Sequence, residues 1–216
     1  MVKQINPDMT FDEMENECIF TRAAKRADRN ASDMLAMSST WLGSIEAVRV
    51  LERDARTAFQ EATAARMIAN ARLDDACRSF GRSLATDLKN DRTSARWKRF
   101  FRGTVDEFVT QPLVDQADAC IAWLEIDDPA LTPFREELTH WAHAAKAAIT
   151  ATGSSGQVRG TAIVAREALA ENLTRARDGL HAALVVRAQE RNLPRDFADG
   201  FFIVSSRKTG KGPKNG

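Results

Sequence analysis

The chain has 216 residues, with 31 Lys and Arg against 30 Asp and Glu, long enough for one domain with a real core. Charge this evenly balanced speaks against a generic polyanion binder, which carries a clear basic excess. No run approaches 18 apolar residues, so no membrane-spanning helix is expected. The first 20 residues lack the apolar stretch of a secretory signal, and a cytoplasmic protein is expected by elimination.

Composition favours helix. There are 35 alanines and 23 arginines, both strong helix formers. No proline falls between Pro7 and Pro112, and only Gly43, Gly81 and Gly103 interrupt that span. Proline costs about 3 kcal/mol inside a helix, so its absence leaves room for unusually long ones. The three cysteines, Cys18, Cys77 and Cys120, form no CxxC pair and no zinc spacing. They are expected as reduced, mostly buried thiols.

In chain order, Thr10-Phe11-Asp12-Glu13 reads as a capping box that opens a helix over about 11–30. Met14, Cys18, Ala24 and Ala27 are its expected apolar stripe. Cap-type residues Asn30, Ser32 and Asp33 mark a break. A helix over about 39–88 follows, with two heptad sets: Ile45, Glu52, Phe59, Arg66, Leu73, Phe80, and Val48, Ala55, Ala62, Ala69, Ala76, Ser83. A strict seven-residue repeat implies coiled-coil-like pairing. Glu52 and Arg66 would be polar interruptions that fix register.

A short helix over about 95–102 stops at Gly103. Thr104 and Glu107 form a second capping box, opening a helix over about 105–125 in which Pro112 imposes a kink or split near 110–111. Asp127-Asp128-Pro129 and Thr132-Pro133 make a loop, after which Thr132 is expected to cap a helix reaching about 150. Gly153-Ser154-Ser155-Gly156 should interrupt it as a hairpin or kink. The last long helix, about 158–191, repeats the heptad pattern with Ala162, Leu169, Ala176 and Ala183, alongside Arg166, Leu173, Leu180 and Arg187. It is therefore the natural partner of the 45–83 segment. Asn192-Leu193-Pro194 stops it. A short Phe-rich helix over about 195–203 and a disordered basic tail over 205–216 complete the chain.

Few motifs suggest chemistry. Glu137 with His140 and Asp178 with His181 have the i, i+3 spacing of helical carboxylate metal sites, but such sites need two ExxH helices plus two further glutamates. Residues 153–160 resemble a phosphate-binding loop yet lack its Lys-Ser/Thr pair and its preceding strand. No nucleophile–base arrangement stands out, so no enzyme, cofactor or metal is expected. The sharpest local feature is 92–102. On a helical wheel Trp97, Phe100 and Phe101 share one side, and Arg96, Lys98, Arg99 and Arg102 the other. The aromatic side is expected to plug the end of the bundle, with the arginines paired to acids such as Asp106 and Glu107.

These features predict an all-α fold: an elongated antiparallel helical bundle with coiled-coil-like long helices, forming one domain over 1–204. The expected function is a non-catalytic scaffold or adaptor that binds a protein partner or itself. The alternatives are a peripheral binder of nucleic acid or anionic membrane acting through 92–102, where the basic and aromatic faces together suit such surfaces, and, third, a metal-carboxylate protein.

Overall fold

The structure, a computed structural model, describes residues 4–203, so the expected basic tail lies outside the described residues. The fold is all-α: about 78% of the described residues are helical, and no strand occurs among them. Among the described residues six α-helices follow in order: α1 (Phe11–Ala27), α2 (Trp41–Asp87), α3 (Ala95–Phe100), α4 (Val105–Val109), α5 (Leu113–Leu124) and α6 (Arg135–Glu190). Short 3₁₀ turns cover Ser32–Ser38, Thr132–Phe134 and Asp199–Phe201. The chain divides into two compact units: unit 1 is Met1–Asp54 with Gly160–Gly216, and unit 2 is Ala55–Arg159. Each draws on part of α2 and part of α6.

Helix ends follow local chemistry. Both capping boxes form, Thr10 with Glu13 and Thr104 with Glu107. Pro112 splits the 105–125 region into α4 and α5. α2 ends with Lys89 and Asn90 at φ 51° and 65°, and the Asn90 amide reaches back 2.8 Å to the Ala85 carbonyl. α6 ends the same way, with Asn192 at φ 51° and the Leu193 amide 2.9 Å from the Ala188 carbonyl. Both are Schellman closures that satisfy carbonyls the helix leaves open. Three boundaries differ from expectation. Thr132 caps nothing: a 3₁₀ turn holds 132–134 and α6 starts at Arg135. The Phe-rich end shrinks to the turn Asp199–Phe201.

The third difference is larger. Residues 153–156 do not interrupt the helix; α6 runs unbroken through them. The hydroxyls along this stretch bond back to the preceding turn. Thr152 and Ser155 donate 2.7 Å bonds to the carbonyls four residues back, Ala148 and Ala151. Small side chains also admit a neighbour: the Thr152 hydroxyl lies 3.3 Å from the Ala62 carbonyl of α2. A Cβ on Gly156 would meet the Phe59 ring at 3.8 Å. The glycine–serine segment is a stretch of continuous helix beside α2, not a joint.

In unit 2 the heptad alanines Ala55, Ala62, Ala69 and Ala76 are all buried, whereas Arg66 is exposed and takes no place in a layer. The second half of α2 packs against the first half of α6 rather than against 158–190: Leu73 and Phe80 share a core with Leu138, Ala142 and Ala145. Phe80 is the centre of that core. Its ring lies 4.9 Å from Phe100, 5.8 Å from Phe101, 5.7 Å from Trp123 and 5.9 Å from Phe134. Gly81 brings α4 close to α2, since a Cβ there would stand 2.4 Å from Val105 Cγ2.

In unit 1 Trp41 and Ile45 of α2 pack with Leu169, Leu173, Leu180 and Leu184 of α6, and with Met14, Cys18, Phe201 and Phe202. Glu52 does mark a polar layer, with Arg166 Nη1 3.2 Å from its carboxylate. The same guanidinium donates 2.7 Å to the Met9 carbonyl. Thr174 holds the segment before α1, accepting from the Ile5 amide at 3.1 Å and donating to its carbonyl at 2.8 Å. The α1 stripe departs from expectation. Met14 and Cys18 are buried, but Ala27 is exposed, and Glu17, Thr21 and Lys25 lie inside instead.

Candidate interaction surfaces

The segment 92–102 separates into an inner and an outer half. Ser94 caps α3 through the Trp97 amide. That sets Trp97, Phe100 and Phe101 into the unit 2 core, all buried. The Trp97 indole N–H donates 3.0 Å to the Gly103 carbonyl. Arg96 is paired, but not with Asp106 or Glu107. Its guanidinium grips buried Asp128 with two bonds of 2.8 and 2.5 Å, and this pairing holds the Asp128 carboxyl below its usual range. Asp106 lies 4.0 Å from Arg78 instead, and Glu107 accepts from the Thr104 amide at 2.7 Å.

Lys98, Arg99 and Arg102 are exposed, and none has a carboxylate within ion-pair distance among the described residues. They line a cleft of about 700 Å³ that also takes in Glu107, Gln111 and Asp115. A second cleft, of about 490 Å³, adjoins it at Thr104 and is lined by Arg78, Arg82 and Arg92 with Asp75 and Asp106. Arg92 stacks 5.5 Å over the Trp97 ring.

A different surface lies along the middle of unit 2. A groove of about 590 Å³ is lined by Phe59, Thr63, Met67, Asn70, Leu113 and Thr152, with Arg66 at its edge. Met67 is 69% exposed and Ile68 beside it 57%.

Other candidates bring little together. His140 stacks edge-on against Trp141 at 4.6 Å. His181 sits 3.0 Å from Asp199. The two i, i+3 motifs fall in different units, and no three His, Cys, Asp or Glu side chains among the described residues gather as a metal group would. Residues 153–160 form no phosphate loop, being part of α6.

Sequence reasoning missed a buried polar interior in unit 1. Arg177, only 1% exposed, donates 3.0 Å to buried Glu17 and lies 5.2 Å over the Phe202 ring. Its Nε and Nη1 have no hydrogen-bond partner among the described residues. Lys25, fully buried, donates 2.9 Å to the Met34 carbonyl and 2.7 Å to Ser38 Oγ. Burial, reinforced by Arg22, lowers its pKa to about 8. A lysine of lowered pKa on a serine hydroxyl has the elements of nucleophile activation. This pair is sealed, however: Ser38 is buried too, and its hydroxyl reaches the Leu35 carbonyl. A signal did exist for Lys25, because 14, 18, 21 and 25 follow helical spacing from the two residues correctly placed inside.

Among the described residues no helix is long and apolar enough to cross a membrane. No protein-family model, curated protein or solved structure matches this chain.

Proposed function

We propose that the chain is a non-catalytic helical adaptor that associates with a second copy of itself through the middle of unit 2. The supporting observation is the groove beside Met67 and Ile68. Knob and groove share one surface: two exposed aliphatic side chains stand next to a depression floored by Phe59 and Leu113. A twofold pairing needs such self-complementarity, each copy offering what the other receives. A formal net charge of +1 leaves little repulsion between copies. Coiled-coil winding of the long helices belongs to this reading, as does a cytoplasmic setting, the latter resting on three buried thiols that form no disulfide.

Light scattering across a concentration series tests it. The wild type should shift from monomer to dimer. Met67→Glu with Ile68→Glu should stay monomeric without a lower melting temperature, since both side chains face solvent. A wild type that remains monomeric throughout overturns the reading.

A further inference from the structure

We propose that the exposed cations around α3 and the end of α2 form a second functional surface, one that binds the phosphate backbone of a nucleic acid. The balanced charge of the whole chain hides a local excess. Residues 78–102 hold eight of the cations and only two carboxylates, Asp87 and Asp91, leaving 23 cations against 28 carboxylates elsewhere. Folding brings six of the eight to two adjoining clefts, Arg78, Arg82 and Arg92 in one and Lys98, Arg99 and Arg102 in the other. Arg96 is the one cation of the segment closely held by a buried carboxylate, Asp128. Carboxylates do face these clefts. Asp106 lies 4.0 Å from Arg78 and Glu107 serves the α4 cap, while Asp75 and Asp115 limit the excess without cancelling it.

The kind of ligand follows from what is exposed. A membrane-surface helix needs an apolar face to insert beside its charges. Here Trp97, Phe100 and Phe101 are buried in the core, so the segment has no free aromatic face to insert. A small phosphate ligand would need donors converging on one point. These cations instead are spread over two adjoining clefts, which suits an extended polyanion that meets several at once and releases counterions on binding. Five of the six are arginines, whose planar forks match phosphate oxygens.

Fluorescence anisotropy with labelled single-stranded RNA and duplex DNA of about 20 nucleotides tests this on the full chain. Binding should be measurable at about 50 mM salt and weaken steeply as salt rises. Lys98→Ala, Arg99→Ala and Arg102→Ala combined should reduce the slope of log K against log salt by about 2–3, at roughly 0.7–0.9 for each phosphate no longer neutralised. Arg78→Ala with Arg82→Ala should reduce it by about 1–2 on the same basis. Circular dichroism should show all variants as helical as wild type, because exposed charges contribute little to stability. Arg175→Ala, an exposed change in unit 1, should leave binding unaltered. The Met67→Glu, Ile68→Glu protein should bind normally, which separates this surface from the self-association one. No nucleic-acid binding at low salt overturns the proposal. So does sedimentation with phosphatidylserine vesicles in the absence of nucleic-acid binding, or full competition by millimolar inorganic phosphate at constant ionic strength.

Discussion

The two units solve the same packing problem with different materials. Unit 2 fills its core with rings: Phe80, Trp97, Phe100, Phe101, Phe108 and Trp123 meet at centroid distances of 4.8–5.8 Å. Unit 1 buries Glu17, Lys25 and Arg177 beside its leucines. An aromatic core draws stability from area removed from water and from edge-to-face contacts. A buried ion pair must first recover the cost of desolvating its charges, and two nitrogens of Arg177 recover none. Truncation should therefore be irreparable in unit 2, whereas a charge lost from unit 1 should be reparable by removing its partner.

The largest effects test that contrast directly. Phe101→Ala should cost about 3–5 kcal/mol, as full truncations of buried rings do. Arg177→Met should cost about 3–5 kcal/mol as well, because Glu17 keeps its charge and loses its guanidinium. Adding Glu17→Leu to Arg177→Met should recover most of that loss. Urea titration of the three proteins checks this, and a double variant no more stable than Arg177→Met would erase the distinction between the cores.

A smaller effect comes from alkali. Between pH about 8 and the ordinary lysine value of 10.5, folded Lys25 holds fewer protons than the unfolded chain, so stability should rise with pH. Cys18 acts oppositely. Burial pushes its pKa from 9.0 to about 11, with nearby Arg177 partly offsetting the rise. The folded thiol thus keeps its proton where the unfolded one ionises, and stability is lost above pH 9. The clear window is pH 8–9, where the gain is at most about 1.4 kcal/mol. Melting curves at half-unit steps should show that rise in the wild type and not in Lys25→Met. In Cys18→Ala the loss above pH 9 should be smaller than in the wild type. Unit 2 acts in the same sense as Cys18: its Cys77 and Cys120 sulfurs lie 3.4 Å apart, and that contact, then burial, keeps the Cys120 thiol protonated where the unfolded one ionises, so stability is again lost above pH 9.

The smallest effect probes α6. A Cβ at Gly153 would meet nothing within 4 Å. In a continuous helix Gly153→Ala should then stabilise by about 0.5–1 kcal/mol, a shift readable by thermal melting. Destabilisation would mean that the chain needs glycine there, as a joint would.

Much of the fold was legible because its signals are local. Thr10 with Glu13 and Thr104 with Glu107 act across three residues, Pro112 across four, and the seven-residue repeat of Ala55, Ala62, Ala69 and Ala76 lies within one helix. The aromatic side of 92–102 was legible as a plug for the same reason. The partner of Arg96 was not: Asp128 lies 32 residues away, and no spacing rule links them. Glu17 and Arg177, 160 residues apart, were equally out of reach.

By itself, then, the sequence determined that this chain is helical, where most helices begin and end, and that Ala55, Ala62, Ala69 and Ala76 of α2 face inward. Propensity, caps and periodicity act over a few residues and depend on no distant neighbour. Only the tertiary structure decided that α6 continues through 153–156. Two glycines and two serines cost a helix roughly 3 kcal/mol relative to alanine, which from sequence alone reads as a break. That cost is offset by the packing of α6 against α2 in the core of unit 2, where Leu73 and Phe80 meet Leu138, Ala142 and Ala145. The tertiary structure also decided which charges lie inside, because a buried charge is tolerated only where a distant residue brings the opposite charge or a hydrogen-bond acceptor to meet it.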